Sequence, residues 1–136
     1  MTTGRETVER FARALDDEDY ALAGSLLAED CQYLCRGEWF RGSSAINGAY
    51  RQNGAAAQRF DSIAYESAVA KDSDETYRIR FVDHLTHAGH EFTFRCEQLV
   101  RLDESGKIVS IEHIDLPGQL GGLAKFRKLV ADGDPQ

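Results

Sequence analysis

The chain has 136 residues, of which 42% are hydrophobic and 29% are charged, a composition typical of one soluble globular domain with one core. Sixteen Lys and Arg residues stand against 23 Asp and Glu residues, which gives a formal charge of −7. No long basic run interrupts this acidic balance, so we expect neither a nucleic acid nor a membrane surface as a partner.

The N-terminal segment MTTGRETVERFARAL lacks the apolar core of a signal peptide, and no window of the sequence approaches 18 apolar residues. We therefore expect a cytoplasmic protein. The three cysteines agree, because their number is odd and their spacing fits no disulfide framework. Cys31 and Cys35 would lie about 13 Å apart on one strand, which is too far for a disulfide.

Three helices are predicted in the first half of the chain. Over residues 6–15 apolar side chains recur at i, i+3, i+4 and i+7, as on one face of a helix. The acidic run DDED ends this helix, and its last residue, Asp19, can cap a second helix over residues 20–28. A third helix is predicted to begin at Ser43 or Ser44 and to contain Ile46, Ala49 and Tyr50.

The remaining segments carry strand patterns. CQYLC at 31–35 is predicted as a short strand, and RGEWFRG at 36–42 as an irregular segment. Four longer patterns follow, FDSIAYESAVAK, ETYRIRFVDHLT, HEFTFRCEQLVRL and KIVSIEHIDL, and the short turns DSD, HAG and DESG separate them. This arrangement is typical of an antiparallel meander. After PGQ, the residues Leu120, Leu123 and Phe126 indicate a last amphipathic helix, which would cap the mouth of a pocket.

Helices followed by a run of long strands indicate an α+β fold, with N-terminal helices packed on a curved antiparallel sheet and a short C-terminal helix. Such a sheet leaves a concave space under its helices, where small-molecule sites are common. Strand alternation predicts which side chains face this space. Four polar residues fall on strand faces that are otherwise apolar, namely Asp83, Gln98, His113 and Asp115.

Three segments, VERFARALDDEDYALAGSLLAED, GSSAI and RLDESGKIVSI, resemble the nuclear transport factor 2-like superfamily, within it the branch of the ketosteroid isomerases and SnoaL-like polyketide cyclases. The resemblance covers roughly residues 8–46 and 77–115. It implies one cone-shaped α+β domain over residues 1–136 and a homodimer. The alternating strand faces of RIR and RCE could be exposed to solvent, or they could be the side through which two sheets pack in a dimer. The activity stays open, because one fold hosts many functions.

The resemblance does not carry the chemistry of the steroid isomerases to this chain. The tyrosine donor of those enzymes falls at Phe11, which has no hydroxyl, and their aspartate base falls at Cys35. Their protonated aspartic acid falls at Gln98, whose amide could still donate a hydrogen bond to an oxyanion. A thiol is a poor replacement for a carboxylate base, so steroid isomerisation is not expected.

The cyclases and dehydratases of the superfamily use histidines and aspartates in their pockets. The resemblance therefore implies that the side chains of His113 and Asp115 point into the cone. An aspartate that accepts from one imidazole nitrogen leaves the other nitrogen as a base near neutral pH. Asp83 is the candidate acid, because burial against Phe81 and Phe94 would raise its pKa. Gln98 would polarise the oxygen of the substrate.

These residues also admit structural interpretations. Asp115 could cap the LPGQ turn while His113 binds a backbone group, Asp83 could be solvated at a rim, and Gln98 could be a core amide. Trp39 could plug the core or line the mouth. The segment HLTHAGH contains three histidines around a hairpin, but their strand parity differs, so we predict solvated turn residues and no metal site.

The sequence therefore predicts a pocket enzyme without a metal or organic cofactor. It would act by acid/base chemistry, as a cyclase, dehydratase or isomerase, on a small, mostly apolar carbonyl or hydroxyl compound. The alternative is a non-catalytic module for small-ligand binding or dimerisation. The predicted catalytic residues are His113, Asp115, Asp83 and Gln98, and the predicted substrate-binding residues are Phe11, Tyr33, Cys35, Trp39, Tyr77, Phe81, Phe92, Phe94, Cys96 and Ile111.

Overall fold

The computed structural model describes residues 3–57 and 60–133 and contains four helices and six strands within these ranges. In chain order they are α1 (Gly4–Asp16), α2 (Tyr20–Ser25), β1 (Leu27–Cys35), β2 (Glu38–Arg41), α3 (Ser43–Ala57), β3 (Ser62–Ser73), β4 (Thr76–His87), β5 (His90–Leu102), β6 (Ile108–Asp115) and α4 (Gln119–Gly133). Among the described helices, none is long and apolar enough to cross a membrane.

Helix α2 begins at Tyr20, where the sequence predicts it, and α1 begins at Gly4, ahead of the predicted start at residue 6. The side chain of Thr3 accepts a hydrogen bond from the backbone nitrogen of Glu6 at 3.1 Å and caps α1. Asp19 caps α2 in the same way, with Leu22 as the donor at 3.2 Å. The predicted cap at Asp19 is therefore confirmed, and the apolar stripe of α1 is buried against the sheet.

The six strands form one curved, unclosed sheet in the order β2-β1-β6-β5-β4-β3. Strands β3 to β6 pair antiparallel in sequence, so the predicted meander and the α+β fold are confirmed. The sheet is mixed rather than wholly antiparallel, because β1 runs parallel to β6. This pairing joins the first and last strands of the chain, which local periodicity does not report.

Two segment predictions are wrong. The second helix ends at Ser25 rather than at residue 28, because the carbonyl of Leu26 accepts from the backbone nitrogen of Ile108 and β1 starts at the next residue. The segment 36–42 is not irregular. Arg36 and Gly37 both have positive φ, 49° and 81°, and form the tight turn of a hairpin between β1 and β2.

The main hydrophobic core lies between the sheet and helices α1, α2 and α3. Helix α1 packs on β3 and β4, and α3 packs on β1 and β2. A second, smaller cluster lies under α4, where Phe126 and Leu85 are buried with Phe60 and Phe92 against them. Between the two clusters the concave face of the sheet is not filled by apolar side chains, and this gap positions the site.

Candidate functional site

A cavity of about 380 Å³ opens between the concave face of the sheet and the helices. Its apolar lining residues are Leu15, Phe60, Ile63, Phe81, Leu85, Phe94, Cys96, Leu120 and Leu123. Its polar lining residues are Asp16, Glu18, Tyr20, Tyr33, Cys35, Arg36, Tyr50, Tyr65, Asp83, Gln98, His113 and Arg127. The volume and the mixed lining are typical of a small-molecule site.

Strand alternation brings the polar residues into this cavity. Asp83 of β4 lies between two aromatic residues of the neighbouring strands, since it pairs with Tyr65 of β3 and with Phe94 of β5. Gln98 of β5 pairs with His113 of β6. Each strand thus places a polar group within a face that its own apolar residues hold against the helices.

Gln98 is the centre of a buried hydrogen-bond network and is itself only 3% exposed. Its Oε1 accepts from the hydroxyl of Tyr50 at 2.9 Å. Its Nε2 lies 3.4 Å from the Tyr33 hydroxyl and 3.4 Å from Nδ1 of His113. All the polar atoms of the Gln98 side chain therefore have partners within the protein, which is the condition for burying an amide without a large free-energy cost.

The network continues from His113 to the rim of the cavity. His113 Nε2 lies 3.0 Å from Oδ1 of Asp115, and Arg36 binds both carboxylate oxygens of Asp115 at 2.8 Å. This bidentate geometry is the strongest form of an arginine–carboxylate pair. Arg36 reaches Asp115 because the hairpin turn places it beside the end of β6, although the two residues are 79 positions apart.

The charges of this network favour a neutral imidazole. Burial lowers the pKa of His113 below its ordinary value of 6.5, and the hydrogen bond and charge of Asp115 oppose that effect without reversing it. Burial by itself would raise the pKa of Asp115, but the hydrogen bonds from Arg36 and His113 outweigh it and hold the pKa of that carboxyl below 3.8. At neutral pH the carboxylate is therefore ionised and the imidazole is uncharged.

Asp83 occupies a different environment. Burial, assisted by the negative charge of Asp16, raises the pKa of Asp83 from 3.8 to about 6, and the charge of His84 opposes the rise only in part. Within the described part of the chain, no side chain or backbone group donates a hydrogen bond to its carboxyl. Asp16, by contrast, accepts a hydrogen bond of 2.6 Å from the hydroxyl of Ser67. Asp83 is thus a carboxyl that can exchange a proton near neutral pH and is open to a ligand.

The structure places eight of the predicted site residues on the cavity wall, namely Tyr33, Cys35, Phe81, Asp83, Phe94, Cys96, Gln98 and His113. Asp115 does not line the cavity. It lies behind His113 and faces Arg36 at the rim. The predicted pair of inward-facing groups on β6 is therefore one inward imidazole with a carboxylate behind it.

Five predicted substrate-binding residues lie elsewhere, which corrects the predicted lining. Phe11 and Ile111 are core residues, and Phe11 packs edge-on against Tyr50 with ring centroids 6.1 Å apart. Tyr77 lies beside Gly4 at the N-terminal end of β4, away from the cavity, and Phe92 packs under α4. Trp39 is 62% exposed because β2 is an edge strand.

Sequence reasoning missed two members of the network. Arg36 fell within the segment that was predicted to be irregular, and its partner Asp115 is brought to it only by the pairing of β1 with β6. The sequence places Tyr50 in a predicted helix and does not predict it as a site residue. A tyrosine on the buried stripe of α3 carries a hydroxyl that needs a partner, and this was an available signal.

Two of the three histidines around the β4–β5 hairpin, His84 and His87, make side-chain contacts with nearby residues. His84 lies 3.0 Å from a carboxylate oxygen of Glu66, and Nδ1 of His87 accepts from the backbone nitrogen of Asp61 at 3.0 Å. Within residues 3–57 and 60–133, no group of three or more His, Cys, Asp or Glu side chains is arranged to hold a metal ion. The three cysteines, Cys31, Cys35 and Cys96, are free thiols.

No family model matches this sequence, and no curated protein matches it significantly. Solved structures do match it. An NTF2-like protein of unknown function from Exiguobacterium sp. 255-15 is 19% identical, with a TM-score of 0.65, over 82% of this chain and 98% of that chain. The chain has the NTF2-like fold. The resemblance read from the three sequence segments is therefore confirmed at the level of the fold.

Two further structures with the NTF2-like fold carry an assigned reaction. A protein assigned as a polyketide cyclase from Pseudomonas putida KT2440 is 16% identical, with a TM-score of 0.68, over 88% of this chain and 96% of that chain. An LEH-like epoxide hydrolase from Mycobacterium tuberculosis is 19% identical, with a TM-score of 0.65, over 95% and 96%. At these identities the likeness establishes the fold, and the reaction of this chain has to be argued from its own residues.

Proposed function

We propose that this protein is a cofactor-independent enzyme that carries out acid/base chemistry on a small, mostly apolar compound bearing a carbonyl, hydroxyl or cyclic ether oxygen. Cyclisation, dehydration, isomerisation and hydrolytic ring opening all need one group that moves a proton and one that stabilises an oxygen. The structural likeness to a cyclase and to an epoxide hydrolase supports this range of reactions.

The observation that carries the proposal is the state of Asp83. A carboxyl with a pKa of about 6, without a hydrogen bond from the described residues and open to the cavity, can hold or release a proton near neutral pH. The aromatic residues Tyr65 and Phe94 are its partners on the two adjacent strands. A purely structural carboxyl would be expected to accept hydrogen bonds or to be solvated.

The hydrogen-bond network lies at the other end of the cavity. From strand spacing, the Cα atoms of Asp83 on β4 and His113 on β6 are roughly 16 Å apart, because β5 lies between the two strands and their partners on it are Phe94 and Gln98. Their side chains both line the cavity, so a small ligand between them would have one end at Asp83 and the other at the Gln98 network. Proton transfer and oxygen stabilisation would thus be divided between the two ends.

The role of His113 follows from its bonds. Its Nε2 hydrogen is held by Asp115, and its Nδ1 lone pair faces the amide of Gln98. To act as a base, His113 would first have to break the bond to Gln98. We therefore assign the proton transfer to Asp83 in the first place, with His113, Asp115 and Gln98 forming the polar end of the site.

The proposal is tested with β-tetralone, an apolar bicyclic ketone whose C–H bonds next to the carbonyl are activated. The protein is incubated with the ketone in deuterium oxide at neutral pH, and incorporation of deuterium is followed by proton NMR. We expect the protein to accelerate exchange, and Asp83→Asn to lose about a hundredfold of that rate or more, since a general base contributes a factor of this order.

Asp74→Asn is the matched control, because Asp74 is exposed in the turn between β3 and β4 and the same change there leaves the cavity intact. It should exchange at the rate of the unmodified protein. If the ketone does not bind, the proposed ligand class is wrong. If it binds but exchange stays at the buffer rate, the enzyme proposal is overturned in favour of a binding module.

That second candidate, a non-catalytic small-ligand carrier, has its own observation. Both ring nitrogens of His113 and both polar atoms of the Gln98 amide already have partners in the protein, so neither residue offers a free catalytic atom. In a carrier, these groups would only shape the cavity. Saturable binding of β-tetralone without exchange is the result that this alternative requires.

We further propose a cytoplasmic homodimer. The outer face of the sheet carries Arg78 and Arg80, both paired with Glu97 at 2.6 and 3.3 Å, and such a polar face suits the contact between two sheets. Native mass spectrometry of the purified protein gives the number of subunits and the mass of any retained small molecule. A monomeric mass at micromolar concentration would refute the dimer.

A further inference from the structure

The hydrogen bonds around Gln98 have defined donors and acceptors, and the carboxylate of Asp115 determines which atoms donate. Arg36 binds both oxygens of Asp115 and keeps this group ionised, so Asp115 can only accept hydrogen bonds. Its contact of 3.0 Å with His113 therefore requires a hydrogen on Nε2 of the imidazole. Because burial favours the neutral ring, the other nitrogen, Nδ1, carries a lone pair.

The tautomer of His113 fixes the amide of Gln98. A lone pair on Nδ1 needs a donor, so the nitrogen of the amide, and not its oxygen, faces the imidazole at 3.4 Å. The amide oxygen then lies on the opposite side, where the Tyr50 hydroxyl donates to it at 2.9 Å. Both contacts are satisfied by the same orientation of Gln98, and the reverse orientation would oppose two acceptors at His113.

The amide of Gln98 in turn fixes the hydroxyl of Tyr33. Gln98 Nε2 also lies 3.4 Å from the Tyr33 hydroxyl, and an amide nitrogen can only donate, so the Tyr33 oxygen accepts this bond. The hydrogen of Tyr33 must then point elsewhere. Tyr33 lines the cavity, and the thiol of Cys35, a weak acceptor, is the group that lies beside its hydroxyl.

We infer that Tyr33 donates its hydroxyl hydrogen to an acceptor oxygen of the ligand, and that Arg36, Asp115, His113 and Gln98 are the positioning residues that keep this hydrogen turned into the cavity. The inference rests on the proposed function and deepens it by naming the oxygen that the site recognises. A ligand with a carbonyl or ether oxygen at this end would replace the weak contact with Cys35. A hydrocarbon of the same shape would gain nothing there.

Rigid packing supports this role for Tyr33. Its ring stacks on Tyr50 with centroids 5.2 Å apart and also contacts Phe40 at 5.7 Å, so the ring cannot swing away from the network. Burial, with the neighbouring Tyr50 and Cys35, raises the pKa of Tyr33 above its ordinary value. The hydroxyl therefore stays protonated and remains a donor across the accessible pH range.

The test compares β-tetralone with tetralin, the hydrocarbon that lacks its carbonyl, by isothermal titration calorimetry. A neutral hydrogen bond predicts that the protein binds the ketone about threefold to tenfold more tightly than the hydrocarbon, beyond their difference in water solubility. In parallel, the infrared stretch of β-tetralone labelled with carbon-13 at the carbonyl reports the hydrogen bond directly, as a lower frequency than in an apolar solvent.

Two variants distinguish the donor from its positioning residues. Tyr33→Phe keeps the stacked ring and removes the hydrogen, so the ketone should lose its advantage and its carbonyl frequency should rise. Gln98→Glu keeps the hydroxyl but places an acceptor against it, which should turn the Tyr33 hydrogen away from the ligand and raise the frequency to the value in Tyr33→Phe. Gln52→Glu adds the same charge on the exposed face of α3 and should change neither readout.

The outcomes separate the inference from the proposed function. If neither probe binds, the proposed ligand class fails, and the inference fails with it. If both probes bind but Tyr33→Phe leaves the carbonyl frequency unchanged, Tyr33 is not the donor, while the binding site stands. If Tyr33→Phe shifts the frequency and Gln98→Glu does not, the claim that the network directs the hydroxyl is overturned.

Discussion

The effect on stability of replacing Asp83 by asparagine should depend on pH and be more favourable at alkaline pH than at acidic pH. Burial and the charge of Asp16 raise the pKa of Asp83 from 3.8 to about 6, so the folded state binds this proton more tightly than the unfolded chain does. The stability contributed by that proton is complete below the unfolded pKa and is lost as the pH rises toward the folded pKa. The ionised carboxylate then destabilises the folded state at all higher pH.

The size of the effect follows from the shift. Each pKa unit corresponds to about 1.4 kcal/mol, so ionised Asp83 costs the folded state about 3 kcal/mol at about pH 8 and less than about 1 kcal/mol at about pH 4. An asparagine amide without a partner costs about 1–3 kcal/mol, and that cost is the same at both pH values. The pH-dependent part of the difference is therefore about 2 kcal/mol.

The assay is urea unfolding of the protein and of Asp83→Asn at both pH values, with the m-values compared to confirm that the unfolded states are equivalent. At each pH, the free energy of unfolding of the unmodified protein is subtracted from that of the variant. The difference obtained at the lower pH is then subtracted from the difference obtained at the higher pH. Asp74→Asn, at an exposed turn position, should give a value near zero. A value near zero for Asp83→Asn as well would show that Asp83 titrates normally, which would remove the basis of its assigned role.

Two further predictions concern His113 and the last helix. Nitrogen-15 NMR of His113 should show the neutral Nε2–H tautomer at neutral pH and a midpoint below 6.5, because burial opposes the charge. The stability that this neutral ring contributes is present above 6.5 and is lost as the pH falls from 6.5 through the lower pKa of the folded state. A charged imidazole at neutral pH would contradict it. Phe126→Ala should lower the free energy of unfolding by about 3 kcal/mol in urea, since Phe126 is buried under α4, whereas Leu129→Ala, at a 53% exposed position of the same helix, should change it by less than about 0.5 kcal/mol. Equal effects would mean that α4 does not pack through Phe126.

The parts of the fold that the sequence predicts correctly are those with a local signal. The stripe of α1, the cap at Asp19 and the four long strands of the meander all follow from periodicity or from turn residues within a few positions. The faces of β4 and β5 were also assigned correctly, because alternation along a strand needs no knowledge of the partner strand.

The wrong predictions concern segments whose structure depends on residues far away in the sequence. The residues after Ser25 look helical by themselves, yet they join β1 because β6 offers them backbone partners. The hairpin turn at Arg36 contains neither Asn-Gly nor Asp-Gly, so the sequence does not predict the strand β2 that follows the turn. Trp39 could not be assigned to the core or to the surface until the position of β2 at the sheet edge was known.

The α+β class, the meander and the presence of polar residues on apolar strand faces can be predicted from the amino-acid sequence, because each depends on neighbours along the chain. The contacts of those residues follow from the three-dimensional fold. It placed Arg36 against Asp115, Tyr50 against Gln98 and Asp83 between two aromatic rings, and thereby set which groups are satisfied and which remain open to a ligand. Hydrogen bonds and desolvation depend on atoms that are close in space, and the chain order of residues does not specify those distances.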